Sequence, residues 1–221
     1  MSSDVVVYGT GGFAREVHQV ISDINQHHFT WNFLGFLDDD RNKWGAKIHG
    51  YPVLGGLEWL RDNSSVYVAI GIGNPSIRRK VVMRIEEACK SPLATLIHPR
   101  AWIGNHVEIG EGSIICAGTL ITTDVHIGKC VILNLDCTVG HDCVIEDFVT
   151  VAPSVNISGG VRVGNGCELG TGSAIIQGIE IGPWTIVGAG AVVIKSLPPN
   201  VTAVGVPAKV VKQRDEGWYE E

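Results

Sequence analysis

A histidine followed at once by an aspartate, His141-Asp142, stands near the middle of this chain, and an asparagine, Asn134, lies seven residues before it. An imidazole with one nitrogen held by a carboxylate is the arrangement a general base needs, because the carboxylate fixes the tautomer and the other nitrogen accepts a proton. A second set lies near the N-terminus. Gly9-Thr-Gly11-Gly12-Phe-Ala14 follows an apolar run and opens a helical one, the setting in which a helix N-terminus meets a phosphate or ribose. Asp38 and Asp39 close the next apolar run, and Gly71-Ile-Gly73-Asn74 closes a third. Both stretches would reach the same crevice at the carboxyl ends of the strands, where the carboxylates could accept hydrogen bonds from a base or ribose. Each feature also has a plainer reading: a solvated histidine, a glycine needed only for a tight turn, an acidic turn. Asp40 and Arg41 read as such a turn, Arg78-Arg79-Lys80 as a solvated helix face offering at most one phosphate contact, and His106 and His126 as surface residues.

These groups need elements to hold them. Residues 4–8 (DVVVY) read as a buried parallel strand, and the glycine turn then opens an amphipathic helix through about Ile24. FLGFLDD (33–39) reads as a strand, 56–63 as a helix, VYVAIGIGN (66–74) as a strand and 76–89 as a helix. That order predicts an α/β domain over residues 1–95, a small Rossmann-like sheet of three parallel strands with right-handed crossovers. Three strands are half a dinucleotide fold, so the crevice suits the mononucleotide end of a larger ligand better than NAD.

From Ile97 to Val193 every sixth residue is Ile, Leu or Val, at seventeen successive positions. An unbroken six-residue period marks a repeat, with one short strand and one tight corner per hexad. Glycine follows the aliphatic at 104, 110, 128, 140, 164, 170, 182 and 188, where it allows a positive φ or a crowded bend. Residues 96–221 thus resemble the left-handed parallel β-helix of hexapeptide-repeat proteins. Some five turns from about 97 to 195 would rise about 25 Å at strand spacing. His141, two past the inward Val139, points outward in mid-coil. SPLATLIHPRA (91–101) reads as the join, and the segment after Lys195 as a Pro-rich loop, a terminal segment and a solvated acidic tail.

A net charge of -6 argues against nucleic-acid or anionic-membrane surfaces, so any phosphate must be met by local cations or N–H groups. Of six cysteines, Cys137, Cys143 and Cys167 fall on the small inward-leaning step of the hexad. No Cys-x-x-Cys spacing supports a zinc ribbon or a disulfide framework, and no metal is expected. MSSDVVVYG lacks a basic n-region and no run reaches transmembrane length, so the expected location is cytoplasmic.

Gly-Thr-Gly-Gly-Phe-Ala-Arg15, AIGIGN, LIHPRA, ILNLDCTVGHDCVIEDFVTVAP and GVPAK together resemble the bacterial nucleotide-amino-sugar N-acetyltransferases of the sialic-acid O-acetyltransferase-like group. The resemblance covers essentially the whole chain. It implies an acetyl-CoA-dependent enzyme for surface-glycan synthesis that acetylates a UDP-, dTDP- or GDP-linked 4-amino-4,6-dideoxysugar, with GDP-perosamine favoured. It implies a homotrimer with acetyl-CoA between adjacent coils and the nucleotide in the N-terminal domain, against Gly9, Gly11, Gly12, Arg15, Asp38, Asp39, Gly71, Gly73 and Asn74. His141 takes the place of the base beside Asp142, and Asn134 lies near the reacting groups. Gly159 offers an N–H to the thioester oxygen, and Gly170, Ala189, Pro207 and Lys209 line the CoA groove. Phe13 departs from the family, many members of which carry His there. Three rivals stand beside this reading: sugar O-acetylation, a non-catalytic NAD-binding scaffold, and a zinc hydratase of the γ-carbonic-anhydrase kind, for which His106, His126 and His141 give no paired motif.

Overall fold

The computed structural model describes residues 2–220. The chain divides into two compact units, one running to Gly73 with Ile77–Pro99, the other holding Asn74–Ser76 and the chain from Arg100. In the first, β1 (Ser3–Tyr8) sits between parallel neighbours β2 (Trp31–Leu37) and β5 (Tyr67–Ile70), which explains the solid apolar run Val5–Tyr8, buried throughout. Helix α1 (Gly12–His27) buries Ala14, Val17, Val20 and Ile21, the 3.6-residue stripe that its sequence carries. The expectation of three strands was too low. β3 (Lys47–Ile48) and β4 (Tyr51–Gly55) form a hairpin, and β4 adds parallel to β2, giving five strands in the order β3-β4-β2-β1-β5. The hairpin is short, and Pro52 within β4 is a signal against a strand.

Helices α2 (Leu57–Asp62) and α3 (Pro75–Ala88) complete the order of elements. The solvated reading of Arg78-Arg79-Lys80 fails at its first member. Arg78 is 1% exposed, and its guanidinium donates to the carbonyls of Ile72 and Gly73, 2.8 Å each. A buried charge is tolerated when its N–H groups are satisfied, and here they pin the loop that leaves β5.

The second unit is a three-sided parallel β-helix. Its first face stacks Trp102–Ile103, Leu120–Ile121, Thr138–Val139, Asn156–Ile157, Ala174–Ile175 and Val192–Val193, each but the last pairing with the strand eighteen residues on. The second face runs from Val107–Ile109 to Glu180–Ile181. The third includes Ile132–Leu133, Thr150–Val151, Glu168–Leu169 and Ile186–Val187. The sixth-residue aliphatics from Ile115 to Val193 are buried. The first three are not: Ile97, in the first unit, is exposed, and Ile103 and Ile109 are half-buried, because the lowest turn of the second unit has no earlier turn of that unit to pack on.

Of the two reasons expected for the corner glycines, the crowded bend is the one that holds. The glycines that follow the aliphatics are there because of crowding: a Cβ on Gly140 would lie 2.6 Å from the Gly159 nitrogen, one turn away. The positive φ falls two residues later, where Asp124, Asp136 and Asp142 stand at φ 55°, 56° and 59°. Small polar residues on the second inward step also have a physical reason. Ser113 Oγ donates to Gly128 O (2.8 Å), Thr119 Oγ1 to Asn134 O (2.9 Å), and the Cys143 and Cys167 thiols to Ser158 O and Gly182 O (3.1 Å each). Burial pushes Cys137 up to about 11 and Cys167 up to about 12, so these thiols stay protonated and pack as small hydrophobes.

Val201–Val204 adds to the third face beside Ile186–Val187, and Lys209–Gln213 folds back on it antiparallel. The tail is not merely solvated. Tyr219 stacks on Trp184 at 3.7 Å and 9°, and the Arg214 guanidinium lies 4.3 Å above the Trp218 ring. Among the described residues, no helix is long and apolar enough to cross a membrane, and no group of three metal-ligating side chains occurs.

Candidate active site

A crevice of about 570 Å³ opens at the carboxyl ends of β1, β2 and β5. It is lined by Gly9, Gly11, Gly12, Asp38, Asp39, Gly71 and Gly73, which the sequence brought to one place, and also by Tyr8, Thr10, Phe13 and Lys43. Arg15 and Asn74 are not in its lining. Gly9 turns the chain at φ 113°, and Gly71 lets α1 approach, since a Cβ there would stand 2.7 Å from Ala14. Asp38 accepts from Thr10 Oγ1, from the Asp40 N–H (2.9 Å) and from Lys43 Nζ (3.0 Å). Burial pushes its carboxyl up, but those three hydrogen bonds outweigh burial and leave it below the ordinary carboxylate value. Asp39 takes a bidentate Arg84 (2.7 and 3.1 Å) and the Tyr8 hydroxyl (2.6 Å). The Arg84 hydrogen bonds hold Asp39 low against its own burial, while burial and then the Asp39 carboxylate push the Tyr8 phenol up. Lys43 could not be placed from sequence, because the single 3₁₀ turn Arg41–Lys43 carries it back over Asp38.

On the coil, His141 follows Thr138–Val139 and stands on the edge between the first and second faces. Its Nδ1 lies 2.7 Å from Asp142 Oδ2, and both side chains are about two-thirds exposed. The ring lies directly over Gly159: a Cβ there would meet His141 Cε1 and Nε2 at 2.7 Å. In the tautomer that carries its hydrogen on Nδ1 the ring donates to this carboxylate, and Nε2 is then the acceptor beside a bare stretch of backbone.

The remaining coil residues gather elsewhere. Asn134, Gly170 and Ala189 occupy the edge between the third and first faces, where a Cβ on Gly170 would meet the Ala189 nitrogen at 2.5 Å. Gly205 and Ala208 hydrogen-bond to Val192, which fixes the loop holding Pro207, and Lys209 opens the last strand. Asn134 Oδ1 accepts from the Leu135 N–H at 2.7 Å, and no hydrogen bond joins Asn134 to His141. Within one chain the two residues therefore stand on opposite edges of the first face.

Residues 4–85 match the PglD N-terminal domain. Over 215 residues the chain is 34% identical to GDP-perosamine N-acetyltransferase of Escherichia coli O157:H7, covering 94% of this chain and 96% of that one. The chain belongs to the PglD-like N-acetyltransferases. It is an acetyltransferase that uses acetyl-CoA on an amino sugar. Several solved structures are similar at a TM-score of 0.85, among them two with a bound coenzyme A species. One is the perosamine N-acetyltransferase of Caulobacter crescentus, crystallised as a histidine-to-asparagine mutant with CoA and GDP-perosamine; it is 34% identical, covering 96% of this chain and 98% of that one. The other is the acetyltransferase domain of PglB from Neisseria gonorrhoeae FA1090 with acetyl coenzyme A, at 29% identity over 96% of this chain and 100% of that one.

Among the described residues of the acetyltransferase stand two further histidine–carboxylate pairs, and their surroundings set them apart from His141. His98 Nε2 bonds Asp23 Oδ2 at 2.9 Å, but its ring is buried, so the pair ties α1 to the segment after α3. His126 Nδ1 meets Glu108 Oε2 at 3.2 Å across two strands of the second face, with no glycine below it. Aspartate also recurs at corner positions 124 and 136, so the shape of Asp142 is explained by the coil; what is particular to 142 is the histidine before it. Sequence reasoning missed the His98–Asp23 pair, which joins residues 75 apart.

Proposed function

We propose that the enzyme transfers acetyl from acetyl-CoA to the 4-amino group of a GDP-linked 4-amino-4,6-dideoxysugar, perosamine being favoured, with His141 as general base. The observation that carries this reading is the His141–Asp142 pair, with its second nitrogen poised over Gly159. The GDP form is favoured because the relative from Escherichia coli carries GDP-perosamine in its name and the Caulobacter enzyme was crystallised with that compound. Its use of a histidine mutant supports a histidine in the reaction.

An alkylammonium is mostly protonated at neutral pH and cannot attack a thioester until it sheds a proton. The amine nitrogen adds to the thioester carbonyl, and Nε2 of His141 takes the proton that the nitrogen must lose. The Gly159 N–H meets the oxyanion. The C–S bond then breaks, and the CoA sulfur leaves with the proton returned from the imidazolium. The nucleotide sits in the crevice of the N-terminal unit, where Lys43 adds a cation beside Asp38. CoA runs along the edge that carries Gly170, Ala189, Pro207 and Lys209. Because that edge and the His141 edge flank one face within a single chain, the complete site forms between copies, and a homotrimer closes three such sites by cyclic symmetry.

The test is His141→Asn assayed with acetyl-CoA and a panel of GDP-, UDP- and dTDP-linked 4-amino sugars. The expected result is N-acetylation favouring the GDP sugar, with the variant's turnover down by about 10² or more and climbing with pH as free amine is supplied by solvent. A variant retaining more than about a third of wild-type turnover at pH 7 contradicts the base assignment.

A further inference from the structure

A second opening lies on the His141 edge of the coil, one turn nearer its start. It has a volume of about 400 Å³ and is lined by Trp102, Ile103, Gly104, Asn105, Thr122 and Thr123. It is built into the same corner as His141. The Asp142 N–H donates to the Thr123 carbonyl at 3.2 Å, and Thr122 reaches Val139 O with its N–H (3.0 Å) and its hydroxyl (3.2 Å). The residues proposed to line the CoA groove lie on later turns than His141, so this opening faces the imidazole from the other direction along the coil axis.

Its lining is half apolar and half polar in a particular way. Trp102 is 56% exposed although its neighbours stack in the coil, so a flat apolar surface stands at the mouth. Thr122 Oγ1 has given its one hydrogen to Val139 O, and Thr123 Oγ1 lies 2.9 Å from both the Asn105 carbonyl and Asp124 Oδ2. A hydroxyl whose hydrogen is already used presents lone pairs, so both threonines can accept hydrogen bonds. The Asn105 carboxamide makes no hydrogen bond within the described chain and offers both a donor and an acceptor. A ligand with one apolar side and hydroxyl donors on the other fits these walls. A 6-deoxyhexose has that form: its methyl and C–H face suit an indole, and its hydroxyls suit the threonines.

We infer that the Trp102–Asn105–Thr122–Thr123 groove holds the sugar ring of the acceptor, with Trp102 against its methyl side, and that Trp102 sets the preference for a 6-deoxy sugar. The inference rests on the proposed N-acetyl transfer and deepens it by naming the residues that orient the 4-amino group toward His141. Trp102 is here a positioning residue, acting through the ring it supports.

The experiment compares wild type, Trp102→Ala and Trp102→Phe on paired nucleotide-linked 4-amino sugars that differ only in a 6-hydroxyl, with melting temperature and light scattering as controls on fold and assembly. For Trp102→Ala the expected result is a rise of about tenfold in KM for the 6-deoxy sugar and a loss of discrimination between the pair. KM for acetyl-CoA stays within about twofold, since the groove lies away from that ligand. Trp102→Phe, which keeps a flat ring, recovers most of the discrimination. An unchanged KM and unchanged discrimination in a folded Trp102→Ala protein overturns the inference, as does a rise confined to acetyl-CoA. Loss of the assembly that Trp102→Phe does not repair assigns Trp102 to a contact between copies and also overturns it. If wild type acetylates no sugar of the panel, the proposed reaction itself fails and takes the groove with it.

Discussion

The crevice of the N-terminal unit and the His141 edge of the coil are built on opposite plans. In the crevice, each carboxylate is already bound by groups of the same chain: Asp38 by Thr10 and Lys43, Asp39 by Arg84 and Tyr8. A binding pocket of this kind is pre-organised, and a ligand entering it loses little to rearrangement. On the coil, His141 and Asp142 have only each other among side chains and stand mostly in solvent, while Asn134 and the Gly170–Ala189 column occupy another edge. A base exposed to water has no means to hold a thioester or keep water from it. On the proposed reading, the difference teaches that nucleotide recognition is a property of one chain, whereas acetyl transfer requires a wall that a single chain does not supply.

The strongest way to break this comparison is at Gly159. A side chain there collides with the His141 ring, so Gly159→Val should lower turnover by about a hundredfold, the scale of a misplaced general base, with little change in KM for the nucleotide sugar. Steady-state kinetics check it, and an unchanged turnover would mean that the ring position carries no catalytic weight. Asp38→Ala should act on the other parameter. Removing the acceptor of Thr10 and Lys43 should raise KM for the nucleotide sugar by about tenfold and leave KM for acetyl-CoA nearly as it was, the cost of one charge-assisted pair. Equal rises in both constants would erase the distinction between the two regions.

Acid should also separate them. Asp38 and Asp39 both sit below their ordinary value when folded, so the stability they contribute is present above the unfolded carboxylate pKa and is lost as pH falls through the folded one. Asp39→Asn should therefore flatten the acid limb of a melting-temperature profile; a limb of unchanged slope would show that Asp39 contributes nothing there. The smallest effect belongs to Lys209, whose replacement by alanine should weaken acetyl-CoA binding by about 1 kcal/mol, as for one exposed charged contact. Calorimetric titration at physiological salt measures it, and an unchanged affinity removes Lys209 from the groove.

Much of the architecture was legible because it is periodic. A six-residue recurrence of Ile, Leu and Val is unmistakable, and it placed the coil and the outward direction of His141 without reference to long-range contacts. The crevice glycines and the Asp38-Asp39 pair were legible because they end apolar strands. What stayed hidden depended on tertiary packing. Arg78 reads as part of a charged surface run, and only the path of the loop after β5 buries it. Lys43 reaches Asp38 through a turn too short to announce itself, and the β3–β4 hairpin has too few residues to show an alternation. Trp218 and Tyr219 lie among acidic residues that read as solvated, yet Tyr219 finds the Trp184 ring. The separation of Asn134 from His141 was hidden for another reason: seven residues look close in sequence, but in a three-sided coil they cross a whole face.

The central claim, that the transfer site is shared between copies, is tested most directly by mixing two defects. His141→Asn removes the proposed base from one edge, and Ala189→Trp, at an exposed position, blocks the proposed CoA edge without entering the core. Each variant alone should be nearly inactive. Co-expressed in equal amounts and assembled at random, they should recover about a quarter of wild-type turnover, because one interface in four then joins an intact His141 edge to an intact CoA edge. A mixture as inactive as its parents would contradict the account, since it would mean that one chain carries both edges of its own site.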